Sequence, residues 1–138
     1  MDLQQISDRI ELADVITRYT RAVDERQWDQ LDAVFTADAQ IDYTSTGGIA
    51  GGREQIKTWL AETLPVFFTE WLHIVGQLDV RFDGPDAADV SAYFTNPMIM
   101  VDSKPVEVAG IYHHRMVRTA DGWRSERLVE QKVYGRGL

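Results

Sequence analysis

The sequence contains no cysteine. This excludes a disulfide framework, a thiolate nucleophile and a cysteine-based metal cluster. Basic residues are few: 14 Lys and Arg stand against 22 Asp and Glu, for a formal net charge of −8. Nucleic-acid binding leaves a basic footprint, and none is visible, so no nucleic-acid partner is expected. The acidic balance also disfavours other anionic partners. No stretch approaches the roughly 20 apolar residues of a membrane-spanning helix, so no membrane partner is expected either. The opening MDLQQISDRIEL lacks a basic region followed by an apolar one. No signal peptide is read there, and a cytoplasmic location is the expectation. The three histidines show neither H-x-x-H nor H-E-x-x-H spacing, so no metal site is predicted. The glycines of 45–52 match neither a P-loop nor a dinucleotide fingerprint, so no nucleotide cofactor is expected.

Within 138 residues, 44% hydrophobic and 26% charged, the chain has the composition of one domain, residues 1–138, around one core. It carries no repeat, linker or low-complexity tract. Leu3, Ile6, Ile10, Ala13, Ile16, Tyr19 or Thr20, and Val23 recur every three or four residues, predicting a helix over 3–23 with that column buried. Gln4, Asp8, Arg9, Glu11, Arg18 and Arg21 lie on its other faces. A short second helix is predicted from Glu25 to Phe35, a strand over Ala39–Tyr43, a loop over 45–52 and a third helix over Arg53–Leu64, with Pro65 beyond its end.

The second half reads as strands: Trp71–Val75, Leu78–Phe82, Val90–Val101, Val106–Arg118 and Trp123–Tyr134. Gly76 marks a bulge, and Pro97 a bulge or an edge position. Helices first and strands afterwards predict an α+β fold. The expected architecture is a cone: a curved mixed sheet wrapped around the N-terminal helices, with an internal apolar pocket.

Four segments carry a family likeness: R-Y-T-R-A-V-D-E-R-Q-W-D-Q-L at 18–31, F-T-A-D-A-Q-I-D-Y at 35–43, H-I-V-G at 73–76 and D-G-W-R at 121–124. In this order and spacing the chain resembles the SnoaL-like, scytalone-dehydratase-like branch of the nuclear-transport-factor-2-like superfamily. That superfamily holds dehydratases, isomerases, polyketide cyclases, dehydrochlorinases and binding modules, so fold alone does not choose among them. The resemblance places a His–Asp elimination pair on His73 and Asp24, and a carbonyl-activating tyrosine on Tyr43. It also shows departures: Val23 stands where a second tyrosine is found, Met100 near the place of a second pocket histidine, and Tyr112 near that of a pocket asparagine.

Each candidate has a plainer alternative. Asp24 could orient the imidazole and raise its basicity, or with Gln27 it could cap the second helix. His73 shares a strand face with Trp71 and Val75, which suits the wall of an enclosed space and proton abstraction from carbon; it could equally be a core histidine bonded to backbone. Tyr43 could donate to a developing enolate or simply pack the sheet. On the 106–118 strand, alternation puts Tyr112 and His114 towards the cavity and His113 outside. Asn96 shares parity with Phe94, Met98 and Met100, as pocket wall or as core.

The resulting expectation is a cofactor-independent lyase, dehydratase-like, or an isomerase. Its substrate would be a small, apolar cyclic molecule of polyketide or terpenoid/steroid type. His73 and Asp24 would be catalytic, and Tyr43, Tyr112, His114, Asn96 and Trp71 would bind substrate. The alternative is a non-catalytic binding module of the same fold, or an assembly module. The resemblance further implies a homodimer paired sheet to sheet, for which Tyr112 or His113, Arg115, Trp123 and Tyr134 are candidate contacts.

Overall fold

Helix α1 (Leu3–Asp24) begins at Asp2, whose carboxylate accepts from the Gln5 N–H while the Gln5 side chain accepts from the Asp2 N–H. This reciprocal capping box satisfies two donors that a helix start otherwise leaves unpaired. In the computed structural model, which describes all 138 residues, α1 buries Asp8, Leu12, Val15, Ile16, Tyr19, Thr20, Ala22 and Val23. The column predicted from Leu3, Ile6 and Ile10 is exposed in that first half. The helix is rotated there because Asp8 turns inward, where its carboxylate accepts from Trp123 Nε1 at 3.1 Å and Arg118 Nη2 at 2.8 Å. A paired, hydrogen-bonded carboxylate tolerates burial, and it outweighs the apolar count.

The chain reverses after Asp24 through Arg26, in the left-handed region at φ 58°. The predicted second helix is only a 3-10 segment, Trp28–Ala33, whose start has no side-chain cap. Asp24 does not cap it. Phe35, predicted at a helix end, opens strand β1 (Phe35–Asp42). Strand β2 (Ala50–Gly52) pairs with β1 inside the predicted loop. Helix α2 (Arg53–Phe67) continues past Pro65, which lies in its final turn and so forgoes one helical hydrogen bond without breaking the helix.

Strands β3 (Phe68–Trp71), β4 (Ile74–Phe82), β5 (Ala87–Met100), β6 (Pro105–Thr119) and β7 (Gly122–Arg136) complete one seven-stranded sheet. Its order is β2-β1-β7-β6-β5-β3, with β4 also on β5. All pairs are antiparallel except β1 with β7, so the sheet is mixed. Pro97 does not disturb the β5–β6 register. On its other side, β5 passes from β4, paired up to Thr95, to β3, paired from Met98. The Pro97 carbonyl accepts from Leu72 N–H, so its absent N–H faces the gap between the two edge strands, where no ladder bond is lost. The β4 bulge falls between Gly76 and Asp79, with Gln77 at φ 52°.

β7 also bulges. Arg115 pairs with Arg127 but Met116 with Ser125, leaving Glu126 as the extra residue. This shifts the inward parity of β7 from Trp123 and Ser125 to Leu128 and Glu130. The inner face of the curved sheet packs on α1 around Leu12, Tyr19, Tyr112, Met116, Trp123 and Leu128, each at most 2% exposed. Full burial of an apolar side chain of this size contributes about 1.5–3 kcal/mol. No helix is long and apolar enough to cross a membrane.

Candidate active site

Val23, Asp24 and Arg26, at and just after the end of α1, fasten it to the β3–β4 junction. Trp71 Nε1 donates to the Val23 carbonyl at 3.0 Å. The Arg26 guanidinium stacks 4.4 Å from the Trp71 ring and donates to the Thr69 carbonyl. Between them, His73 lies in the two-residue break separating β3 from β4. That break takes the His73 N–H out of the ladder, and Asp24 Oδ2 accepts it at 2.9 Å. Asp24 Oδ1 lies 2.6 Å from His73 Nδ1. A carboxylate only accepts, so in the neutral ring Nδ1 carries the proton and Nε2 holds the lone pair. Nε2 makes no hydrogen bond within the protein.

His73 faces a cavity of about 270 Å³. Val23, Leu60, Leu64, Phe68, Trp71, Met98 and Val108 give it an apolar wall, and Phe67 and Leu138 also border it. Tyr19, Tyr43, Tyr112, Asn96, Thr46 and Glu130 supply its polar groups. The Tyr19 and Tyr43 hydroxyls are 2.5 Å apart. Burial pushes the phenols of Tyr19, Tyr43 and Tyr112 well above their ordinary value, so all three remain donors at neutral pH. The Tyr112 hydroxyl and the Asn96 Oδ1 are buried without a partner. Two orphaned polar atoms in one cavity are the sign of a site that a ligand or water completes.

The structure therefore gathers His73, Tyr43, Tyr112, Asn96 and Trp71 around one cavity, with Asp24 bonded to His73 from outside the lining. His114 is not among its lining residues. It points inward but packs behind the site, 6.2 Å from the Tyr19 ring and 6.3 Å from that of Tyr112, and is 3% exposed. Ser125 donates to the Arg127 carbonyl, so His114 Nδ1 donates to Ser125 Oγ at 2.8 Å and Nε2 is left unpartnered. Burial, and secondarily the neighbouring His113, push its pKa down to about 3. A histidine so held is neutral and sealed off, which corrects the expectation that it binds substrate. Trp123 and Tyr112 are likewise fully buried, so they are not available to a sheet-to-sheet contact. Outward-facing His113 bonds Gln131.

Sequence reasoning misses Glu130, Tyr19 and Thr46 as site residues. Glu130 is 9% exposed, and burial raises its pKa above the ordinary carboxyl value. Its inward position depends on the Glu126 bulge, for which the sequence holds no signal. Tyr19 falls in the apolar column of α1, but nothing in the sequence brings its hydroxyl to that of Tyr43. A second depression, about 440 Å³, lies on the outer face over β4–β7. Asp79, Arg81, Asp89, Arg115 and Arg127 line it with only two apolar residues, so it lacks the enclosure of the inner cavity. No three His, Asp or Glu side chains converge as a metal-binding group.

An N-terminal helix against a strongly curved mixed half-barrel is the cone fold of the nuclear-transport-factor-2-like superfamily. The model of the SnoaL-like domain family matches residues 4–129, and the chain belongs to that family. It is 41% identical over 136 residues to the uncharacterized protein Rv2910c of Mycobacterium tuberculosis H37Rv, covering 97% of this chain and 91% of that protein. Among solved structures, the LinA-type3 hexachlorocyclohexane dehydrochlorinase of Novosphingobium barchaimii LL02 superposes with a TM-score of 0.87 at 19% identity, covering 100% of this chain and 94% of that one. A protein of Novosphingobium aromaticivorans assigned provisionally as a scytalone dehydratase gives 0.89 at 18% identity, covering 100% and 92%. At these identities the two structures share the fold.

Proposed function

We propose that the cavity is the active site of a cofactor-independent lyase or isomerase acting on a small cyclic, partly apolar substrate of polyketide or terpenoid/steroid type. The observation that carries this reading is the 2.6 Å contact between Asp24 Oδ1 and Nδ1 of His73, a residue that lines the cavity and whose Nε2 has no partner within the protein. Nε2 takes a proton from a carbon activated by a neighbouring carbonyl. Asp24 holds the ring's tautomer and balances the imidazolium that forms. Tyr43, with Tyr19 behind it, donates to the oxygen that gains negative charge. In elimination the C–H electron pair becomes the new double bond and hydroxide departs with a proton, as water; in isomerisation the proton returns at another carbon. The dehydrochlorinase and dehydratase names of the two structural neighbours support this reaction class by analogy of fold.

The test is a panel of hydroxylated cyclic ketones, with enone formation followed by absorbance. Turnover by the wild type should fall about 10²–10⁴-fold in His73→Ala and Asp24→Asn. A variant that turns over as well as the wild type removes that residue from the mechanism. Ligand binding without turnover on the panel favours the binding-module reading.

We further propose that the chain forms a homodimer through the outer sheet face, where Tyr93 is 57% exposed and His113 and Arg115 lie close by. Sedimentation should give twice the 15.7 kDa chain mass. A monomer at micromolar concentration rejects the dimer and leaves the site reading untouched.

A further inference from the structure

Tyr112 on β6 and Glu130 on β7 stand directly opposite each other in the antiparallel ladder, and both side chains line the cavity. Residues so paired bring their side chains together on one face of the sheet. The protein completes neither of them. The Tyr112 hydroxyl is buried without a hydrogen-bond partner. Glu130, 9% exposed, receives one side-chain hydrogen bond: Thr46, in the turn after β1, donates its hydroxyl proton to Oε1. That proton is free for Glu130 because the Tyr43 carbonyl, the other oxygen within reach of the hydroxyl, already accepts the Thr46 and Gly48 N–H groups. No other group in the protein donates to the carboxyl, which leaves Oε2 open. Burial raises the Glu130 pKa, against Thr46, His73 and Tyr112, which favour its charged form. Burial also keeps the Tyr112 phenol protonated. A donor and an acceptor thus lie side by side at one end of the cavity, near enough to influence each other but not joined by a hydrogen bond.

We propose that the cross-strand pair Tyr112–Glu130 is a specificity-determining site for a ligand hydroxyl, which accepts from the tyrosine and donates to the carboxylate. A hydroxyl is the simplest group that both donates and accepts, so it bridges the two and leaves neither buried unpaired. Displacing water from between them with a hydroxyl reproduces both of the water's hydrogen bonds. A ketone or ether can accept from Tyr112 but turns a lone pair towards the carboxylate, which then stays buried without a donor. An ammonium can donate to Glu130 but leaves the Tyr112 proton with no acceptor. The cavity therefore selects alcohols over ketones of the same ring. The inference rests on the inner cavity being the ligand site. It does not depend on His73 and Asp24 acting as an elimination pair.

The probes are 1-indanol and 1-indanone, which share a ring and differ in whether the oxygen can donate, with affinities read by NMR titration. The wild type should bind the alcohol at least about tenfold more tightly, the worth of one buried hydrogen bond. Glu130→Leu should lose about tenfold for the alcohol and keep ketone affinity within about threefold. Glu130→Gln retains an acceptor oxygen in the same place and should hold the alcohol within about threefold. Tyr112→Phe should also lose about tenfold for the alcohol, and it should melt no lower than the wild type because the hydroxyl it removes has no partner to lose. Equal binding of the two probes, full alcohol affinity in Glu130→Leu or Tyr112→Phe, or equal losses of both probes in Glu130→Leu overturns the proposal while leaving the cavity as a ligand site. A melting temperature well below wild type in Tyr112→Phe overturns it too, since the hydroxyl would then be satisfied within the protein. Binding of neither probe rejects the proposal together with the cavity reading. The series measures no turnover, so an inactive protein on the ketone panel leaves it standing.

Discussion

Asp24 holds His73 twice: Oδ1 meets the ring Nδ1 at 2.6 Å while Oδ2 accepts the main-chain N–H at 2.9 Å. One carboxylate thus fixes both the strand break and the ring that the break carries. The first prediction concerns the tautomer. In the wild-type protein with a neutral ring, the proton should sit on Nδ1 and the lone pair on Nε2. In Asp24→Ala it should redistribute between the two nitrogens. Long-range 1H–15N correlation spectra of the imidazole distinguish these forms. An unchanged pattern in the variant would mean that Asp24 places the backbone but does not set the ring.

Much of this geometry is legible in the sequence, and what is not has identifiable causes. The helix-then-strand order and the 106–118 parity follow from local pattern, which the sheet does not override. The pairing of His73 with Asp24 comes from family likeness, because 49 residues separate them and no local rule links them. Capping by Asp24 is a sound local alternative; it gives way because His73 offers the carboxylate two donors, its ring Nδ1 and its main-chain N–H, and the 3-10 segment starts without a side-chain cap. Glu130 is hidden by one unpaired residue, Glu126, that reverses the side-chain alternation of β7. Asp8 reads as solvent-facing because its partners, Arg118 and Trp123, lie 110 and 115 residues away.

The second prediction follows from His114. Its folded pKa of about 3 lies below the ordinary 6.5, so between those values the unfolded chain binds the extra proton. Stability therefore falls as pH drops below about 6.5, by about 1.4 kcal/mol per unit from this group. Glu130, raised by burial, acts in the opposite sense above the ordinary carboxyl value, where the folded chain binds the extra proton. Replacing only His114, as in His114→Gln, isolates the first contribution. Urea denaturation at pH 7, 6 and 5 should show a steeper loss in the wild type than in the variant. Parallel losses would show that His114 takes up its proton in the fold.

Asp8 gives a third prediction, with a different pH window. Its carboxylate accepts from Arg118, Trp123 and Gln4, and the Arg118 hydrogen bond leads in holding its pKa below the ordinary 3.8. The stabilisation it contributes is complete above that ordinary value and is lost as pH falls through the lowered folded one. Asp8→Asn removes the charge facing Arg118 while leaving an oxygen for the Trp123 indole. It should lower stability at pH 7 by about 1–3 kcal/mol, with a smaller difference in strong acid. A loss that stays constant with pH would assign Asp8 a purely steric role.

The fourth prediction contrasts two glycines. A Cβ on Gly110 would stand 2.0 Å from the Gln131 carbonyl oxygen and 3.0 Å from the Phe94 ring. The first neighbour is backbone and cannot swing aside, so β6 and β7 would have to separate at the bulge between Ala109 and Gly110. Phe94 stacks on Tyr112 at 4.2 Å, so the strain passes directly into the cavity wall. Gly110→Ala should cost about 1–3 kcal/mol and disturb probe binding in the same measure. At Gly76 an added methyl would meet nothing within 4 Å, and φ is not positive, so Gly76→Ala should be neutral or stabilising by up to about 1 kcal/mol. Thermal melts of the two variants, side by side with the wild type, separate close strand approach from chain flexibility. Equal melting temperatures for both would mean that the β6–β7 contact at Gly110 yields without strain.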